Sequence, residues 1–245
     1  MSVELSVVVP VCNEAENVEP LVREIDAALG PAASAGARDY EMIFVDDGST
    51  DETAAILKRL KAEFPALRVL HHSFRSGQSA AVASGVRAAR APWVATLDGD
   101  GQNDPADIPR LLAERDRQRD VQLFMGNRKA SRQDTAFRKL QSSIANGVRS
   151  SLLGDGTPDT GCGIKLFSRE LFLELPRFDH MHRFLPALFQ RHGAKVVSVP
   201  VGHRARLRGT SKYGMLNRLW VGIVDIIGVM WLRRRYKPGL LVREE

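Results

Sequence analysis

Thr96-Leu97-Asp98-Gly99-Asp100-Gly101-Gln102-Asn103-Asp104-Pro105 is the stretch on which the reading of this 245-residue chain turns. The apolar run that enters it, Trp93 to Leu97, stops at two carboxylates separated by a single glycine. An apolar run followed by a polar turn reads as a buried strand reaching a sheet edge. Ligands of open α/β sheets gather at the carboxyl ends of such strands. Gly99 and Gly101 remove side-chain bulk beside each Asp, so the backbone can bend and a ligand can come close. Carboxylate oxygens with no His or Cys nearby suit Mg²⁺ or Mn²⁺ rather than zinc, and such a cation keeps positions open for substrate phosphates. The expectation is a metal–diphosphate site. A solvated Asp-Gly turn is the plainer reading of Asp98-Gly99-Asp100 alone. The strand before it and the Pro-started helix after it favour the site.

The same grammar extends outward. Leu5 to Pro10 reads as a buried strand, followed by polar Cys12-Asn13-Glu14. Val18, Leu21, Val22, Ile25 and Leu29 then recur at helical spacing, and Gly30 to Asp39 reads as a surface loop. Tyr40 to Val45 is a second strand, ended by Asp46-Asp47-Gly48-Ser49-Thr50-Asp51. Thr50 or Asp51 can cap the helix of Ile56, Leu57 and Leu60. Leu67 to Leu70 is a third strand, and Gln78 to Arg90 a helix whose Ala and Gly surface allows close packing. After the fourth strand, Trp93 to Leu97, come a helix from Pro105 to Arg119 and a fifth strand, Val121 to Met125. Strand and helix alternate five times, the signature of a parallel, doubly wound sheet with right-handed crossovers. Beyond Asn127 the pattern changes. Phe137 to Leu153 is helical, Gly154 to Gly163 a loop, Lys165 to Phe167 strand-like, Phe184 to Arg191 helical, and Lys195 to Val201 a half-buried strand.

Composition bounds the answer. Hydrophobic residues at 44% and charged residues at 26% are those of a globular protein. The net charge of +6 is unevenly placed: from Pro200 onward there are ten basic residues against three acidic ones, and the preceding part carries a net −1. A basic tail points to an anionic partner: phosphate, anionic lipid or nucleic acid. Cys12 and Cys162 form no metal spacing and no disulfide framework. Met1-Ser2-Val3-Glu4 has no basic n-region, so a cytosolic setting is expected.

Several chemistries are excluded by missing motifs. No G-x-G-x-x-G follows the first strand, and no G-x-x-x-x-G-K-[ST] occurs. Asp98 to Asp104 mimics an EF-hand start, but Asn103 stands where Gly is required and Pro109 where a bidentate Glu is required. His180-x-His182 and His71-His72 lack a third zinc ligand, which favours polar packing roles. Two acidic clusters remain, Asp46-Asp47 and Asp98/Asp100, both ending strands of one sheet. Such an edge can accept hydrogen bonds from base and ribose and bridge a diphosphate through a cation.

Seven stretches in order over residues 3 to 215 resemble the GT-A glycosyltransferases of family 2 and, within them, the dolichyl- or polyprenyl-phosphate sugar (mannosyl-type) synthases. They are Val9-Pro10-Val11-Cys12-Asn13-Glu14, Val45-Asp46-Asp47-Gly48-Ser49-x-Asp51, Ser76-Gly77-Gln78-Ser79-Ala80-Ala81 and Leu97-Asp98-Gly99-Asp100-Gly101-Gln102-x-Asp104-Pro105. Gly126-Asn127-Arg128, Asp159-Thr160-Gly161-Cys162-Gly163-Ile164-Lys165-Leu166-Phe167 and Arg208-Gly209-Thr210-Ser211-Lys212-Tyr213-Gly214 complete them. The resemblance implies a GT-A, Rossmann-like, mostly parallel sheet flanked by helices over residues 1–214. It implies a nucleotide-sugar donor, a polyprenyl phosphate acceptor, a Mg²⁺ or Mn²⁺ cofactor and inversion by in-line attack. Pro10, Glu14, Asp46, Asp47 and Asp98 would hold the nucleotide. Asp98, Asp100 and Gln102 would surround the metal. Arg128, Arg138, Arg208, Ser211 and Lys212 would hold the acceptor phosphate. Asp100 and Asp159 would be the catalytic carboxylates, Asp159 as a positioning group or a base. Cys12 departs from the family's frequent aromatic residue, which bears on base stacking. No Q-x-x-R-W motif of the processive synthases occurs, which argues for transfer of one sugar. A soluble transferase acting on a sugar hydroxyl is the alternative. A non-enzymatic lipid- or nucleic-acid-binding protein would leave the acidic motifs without a task, and no nucleic-acid partner is expected. Assembly into a homo-oligomer is left open by the sequence.

Residues 215–245 form the second expected unit, a C-terminal helix and basic tail. Leu219 to Leu232 is a run of fourteen residues with one charge, Asp225. As a helix it rises about 21 Å, short of a hydrocarbon core of roughly 30 Å. Asp225 would cost about 2.5–3.5 kcal/mol at the centre of a spanning helix. Arg218, Gly222, Asp225 and Arg233 fall near one side, Trp220 and Trp231 suit the headgroup level, and Arg233-Arg234-Arg235 can meet anionic lipid. The expectation is a helix lying in the interface on the cytosolic face of a membrane. The alternative is a helix packed against the domain or a partner subunit.

Overall fold

The computed structural model describes residues 3–34, 36, 38–128, 147, 149–204 and 215–237, with backbone alone over 215–220. Its strands are β1 (Leu5–Val11), β2 (Tyr40–Asp46), β3 (Leu67–His71), β4 (Trp93–Thr96), β5 (Val121–Asn127), β6 (Lys165–Ser168) and β7 (Lys195–Pro200). They form one sheet in the order β3-β2-β1-β4-β6-β5-β7. The helices are α1 (Ala15–Leu29), α2 (Thr53–Glu63), α3 (Gln78–Ala88), α4 (Ile108–Arg117), α5 (Arg169–Leu173), α6 (Leu185–Arg191) and α7 (Met215–Arg235).

The apolar runs dictate the sheet. Every residue of β1 is buried, as expected for a strand covered on both faces. Side chains alternate between the two layers. Val7, Val9, Met42 and Phe44 pack under Val18, Leu21 and Ile25 of α1 and Leu57 and Leu60 of α2. Val8, Ile43 and Val45 pack on the other side against Ala81, Val82 and Val86 of α3 and the aromatic group of Phe167, Phe172 and Phe189. The small-residue surface of α3 has the anticipated use: a Cβ on Gly85 would stand 2.4 Å from Val8 Cγ1. Pro10 is tolerated in a central strand because β1 runs beyond β4. Its register partner is Val45 on one side, and the β4 pairing has already ended at Val8↔Thr96.

The sheet departs from five parallel strands at one place. β6 runs antiparallel between β4 and β5, so β4 and β5 are not neighbours. The expected helix from Pro105 to Arg119 divides into a 3₁₀ turn, Pro105–Asp107, and α4. Asp104 caps the turn by accepting from the Ala106 amide at 3.0 Å, and Pro109 opens α4. At α2 the capping residue is Glu52 without a side-chain bond, while Asp51 accepts from the Thr53 amide at 3.0 Å. Residues 149–153 are helical, as anticipated for the end of Phe137 to Leu153; the rest of that expected helix lies largely outside the described residues.

Among the described residues no helix is long and apolar enough to cross a membrane. The C-terminal helix α7 packs one side against the domain, as the second of the two expectations has it, and leaves the other side open. Val229 is fully buried in the cluster that α6 lines, and Arg191 Nε donates to the Leu232 carbonyl at 3.0 Å. Asp225 on the polar side faces the protein, with its Oδ2 3.2 Å from His180 Nδ1. Burial raises the Asp225 carboxyl above its usual range, and His180 acts against the rise. The opposite face is apolar and open: Val224 is 61%, Ile227 61% and Trp231 59% exposed.

One substitution at two glycines tests this packing. Gly85→Ala should destabilise the fold by about 1–3 kcal/mol, because Val8 must move. Gly228→Ala in the middle of α7 meets nothing within 4 Å and should be neutral or stabilising by up to about 1 kcal/mol. Urea unfolding of both variants measures the sign.

Candidate active site

The carboxyl ends of β2, β1 and β4, parallel neighbours, lie side by side at one edge of the sheet, the place where a ligand crevice forms in such folds. Gly99 lets the Asp98–Asp104 turn lie directly on β1: a Cβ there would meet Val11 Cγ1 at 2.7 Å and the Pro10 carbonyl at 2.8 Å. The Asp98 amide donates to Asn103 Oδ1 at 3.1 Å, and the Gln102 amide to Asp100 Oδ1 at 3.2 Å. These bonds shape the turn. Asp98 Oδ1 accepts from Gln78 Nε2 at 2.8 Å, which ties the turn to the first residue of α3. Desolvation pushes the Asp98 carboxyl above its ordinary range, and Lys165 is the strongest charge acting against that rise. A bound cation would act in the same sense.

The second acidic cluster is built differently. Asp47 is buried, and its carboxylate accepts from the Ser76 and Gly77 amides, both at 2.8 Å, with His72 Nδ1 at 2.8 Å. It therefore anchors the 72–77 loop that walls the crevice. Asp46 accepts from the Ser49 amide at 3.0 Å and pairs with His71 Nδ1 at 3.1 Å. The two adjacent histidines are thus partners of carboxylates. Glu14, at the start of α1, accepts from Asn17 Nδ2 at 2.7 Å. Among the described residues no three His, Cys, Asp or Glu side chains gather to hold a metal ion unaided. Asp98 and Asp100 fit a hard cation whose remaining ligands are phosphate oxygens and water.

The loop after residue 153 brings a third group to the crevice. Arg128, just past β5, forks onto Asp159, with Nε to Oδ2 and Nη2 to Oδ1 both at 2.9 Å. The Arg128 amide adds a bond to Oδ2 at 3.1 Å. A bidentate pair of this kind fixes both side chains. Gly163 brings their loop against the acidic turn: a Cβ there would stand 2.2 Å from Asp98 Oδ2 and 2.4 Å from Asn103 Oδ1. Arg138, Arg208, Ser211 and Lys212 lie outside the described residues. Arg204, the last described residue before three of them, donates from its amide to the Gln102 carbonyl at 3.0 Å and pairs with Asp104 at 2.8 Å.

The profile of glycosyl transferase family 2 matches residues 6–175. The chain belongs to this family. It is 36% identical over 242 residues to a dodecaprenyl-phosphate galacturonate synthase of Rhizobium johnstonii, covering 97% of this chain and 70% of that protein. It is 35% identical over 217 residues to an undecaprenyl-phosphate 4-deoxy-4-formamido-L-arabinose transferase of an Enterobacter species, covering 87% of this chain and 63% of that protein. The family 2 chain thus spans less than two thirds of the length of the second relative. Its fold is that of glucosyl-3-phosphoglycerate synthase from Mycobacterium tuberculosis, solved with Mn²⁺, uridine diphosphate and phosphoglyceric acid. The TM-score is 0.68 at 22% identity, over 96% of this chain and 80% of that one.

Sequence reasoning about this glycosyltransferase missed the supports of its site. Arg149 pairs with Asp155 and donates through Nη2 to the Thr157 carbonyl at 2.8 Å, which staples the loop that carries Asp159. His182 Nδ1 lies 2.7 Å from Ser79 Oγ, and burial drives its pKa well down, so the ring is a neutral brace for α3. Burial lifts the Cys162 thiol to about 11, which makes it inert packing. Lys165, in the strand-like segment, is buried beside Cys162. The alternation of apolar and polar residues carries no sign of these long-range pairs; the buried lysine inside an apolar strand was the available signal.

Gly163→Ala should keep the fold and abolish donor binding, because the methyl group enters the space of the Asp98 carboxylate. Calorimetry with nucleoside diphosphates and Mn²⁺ checks it, with the melting temperature as the control for folding.

Proposed function

We propose that this glycosyltransferase moves one sugar from a nucleotide-sugar to a polyprenyl phosphate, inverting the anomeric carbon and releasing a nucleoside diphosphate. The observation that carries the reading is the Arg128–Asp159 pair set against the Asp98–Asp100 turn through Gly163. It supports the reading because a guanidinium suited to phosphate accompanies an edge suited to a metal-bound diphosphate. The names of the two relatives point to the same acceptor class.

In this reading Pro10, Glu14, Asp46 and Asp47 form the nucleoside end of the crevice, with Asp47 acting through the 72–77 loop. Asp98, Asp100 and Gln102 hold Mg²⁺ or Mn²⁺, which supplies positive charge where the leaving diphosphate develops negative charge. A phosphate monoester, with a second pKa of about 6, is largely dianionic at neutral pH and attacks without a general base. Its need is for cations that offset repulsion from the donor, and a guanidinium suits phosphate in a bidentate manner. Arg128 serves that need together with Arg138, Arg208, Ser211 and Lys212. Asp159 already accepts from Arg128 through both oxygens, which suits a positioning role better than proton abstraction. A sugar hydroxyl, with its much higher pKa, would require a true base.

Residues 1–214 are assigned as the catalytic unit and 215–245 as an interfacial helix and basic tail. The polar side of α7 is turned to the protein at His180–Asp225, and Val224, Ile227 and Trp231 are left facing outward, with Arg234 and Arg235 following. An apolar face followed by arginines suits the boundary of an anionic bilayer, where the phosphate of a lipid acceptor resides.

Asp100→Asn should keep the fold and reduce turnover by at least about 100-fold through loss of a charged ligand. Nucleoside diphosphate release from nucleotide-sugar and polyprenyl phosphate is the assay, and full activity of verified metal-free protein in EDTA would refute the metal role. Replacing Val224, Ile227 and Trp231 together by Ser should abolish flotation of the full chain with anionic vesicles and leave nucleoside diphosphate binding intact. Equal flotation of both proteins would exclude α7 as the membrane contact.

A further inference from the structure

A cavity of about 310 Å³ lies at the C-terminal end of α7, lined by Leu152, Met230, Arg233 and Arg234. That is the lower end of the range for ligand pockets, about 300–1,000 Å³. One part of its lining is apolar. Leu152, in the helical residues 149–153, is 49% exposed. Residues 227, 230, 231 and 234 share one side of α7, because steps of three and four fall on one face of a helix. The outward face of Ile227 and Trp231 therefore leads to Met230 and stops at Arg234. The other part is cationic. The Arg233 guanidinium lies against Gly154, where a Cβ would stand 3.6 Å from Nη1 and 3.9 Å from Nη2. The carboxylate next in sequence, Asp155, is taken by Arg149 and by the Thr157 amide. Among the described residues neither Arg233 nor Arg234 forms an ion pair or a hydrogen bond.

Two guanidinium groups beside an apolar wall match a phosphate carried on a hydrocarbon chain. A free phosphate would leave the wall unused, and an uncharged lipid would leave the cations unused. Topology sets this cavity apart from the crevice. α6 begins beside the turn of His182, which meets Ser79 in the first turn of α3, and ends at Arg191, which bonds the Leu232 carbonyl. Lys195, four residues later, pairs with Val121 at the start of β5, and β5 runs parallel to β4 because both are antiparallel to β6. The last turn of α7 thus lies toward the amino edge of the sheet, opposite the Asp98 turn. The geometry points to a second lipid site, separate from that of the acceptor. The cavity takes one anionic phospholipid of the bilayer, with its phosphodiester on Arg233 and Arg234 and the start of an acyl chain on Leu152 and Met230. This extends the interfacial reading of α7, since it fastens the far end of the helix to the same surface.

The test is calorimetric titration of the full chain with monomeric dihexanoyl-phosphatidylglycerol, with dihexanoyl-phosphatidylcholine and inorganic phosphate as the comparison ligands. The anionic lipid should saturate one site and bind at least about fivefold tighter than either comparison ligand. Arg233→Gln and Arg234→Gln should each weaken it at least about fivefold, whereas Arg235→Gln, the same loss of charge one residue outside the lining, should stay within about twofold. Leu152→Glu, on a different element, should place a carboxylate against the two guanidinium groups and abolish binding, and it serves if a variant in α7 unseats the helix. An Arg235→Gln loss equal to the other two would mean attraction by charge alone and would overturn the site. Inorganic phosphate binding as tightly as the lipid would overturn it too, as would absence of saturable binding by the wild type. The interfacial reading is judged separately by flotation with anionic vesicles. A chain that binds the lipid monomer without floating retains this site and loses that reading, and a chain that floats without binding the monomer does the reverse.

Discussion

The contact between Gly163 and the Asp98 carboxylate is the constraint on which the site depends. β6 enters the sheet antiparallel between β4 and β5, with Thr96 Oγ1 donating to the Gly163 carbonyl at 2.9 Å. That insertion draws the loop of residues 154–163 across the end of β4. Without it, Asp159 and Arg128 would belong to a different edge from Asp98 and Asp100. Glycine at 163 is required because its absent side chain is the space that Asp98 Oδ2 occupies.

Charge is distributed around this contact with a division of labour. The end of β2 is acidic and fixed: Asp47 is held by two amides and a histidine, and Asp46 by an amide and a histidine. The turn at Asp98 is held by Asn103, by the Gln102 amide on Asp100 and by Gln78. Arg128 is held by Asp159, on the loop that Gly163 brings against the turn. Arg204 is bonded to the same turn at the Gln102 carbonyl and at Asp104.

The central strands, their order of appearance and the acidic ends were legible in the sequence because each strand is an uninterrupted buried run with a polar stop. The small-residue helix α3 was legible for the same reason: Gly85 and its Ala neighbours have one use, close approach to β1. The position of β6 was not legible. Four residues that include a lysine carry no direction, and the insertion is fixed by contacts at Gly163 and Thr96 that join distant parts of the chain. The Arg128–Asp159 pair is separated by 31 residues, so inspecting sequence neighbours could not disclose it. The polar side of α7 was identified from spacing, but its direction was not. His180, the residue that draws Asp225 inward, lies far away in the chain.

The central claim is that a phosphate, and not a hydroxyl, is the acceptor. Phosphorus-31 magnetic resonance of the reaction of the full chain with Mn²⁺, a nucleotide-sugar and polyprenyl phosphate reports this at the reacting atom. The account predicts that the monoester signal of the lipid, which titrates with a pKa near about 6, is replaced by a diester signal that does not titrate over the same range, with one nucleoside diphosphate released per lipid. A monoester signal that persists across the panel of nucleotide-sugars, while the donor is consumed only when a sugar hydroxyl is supplied, would contradict it.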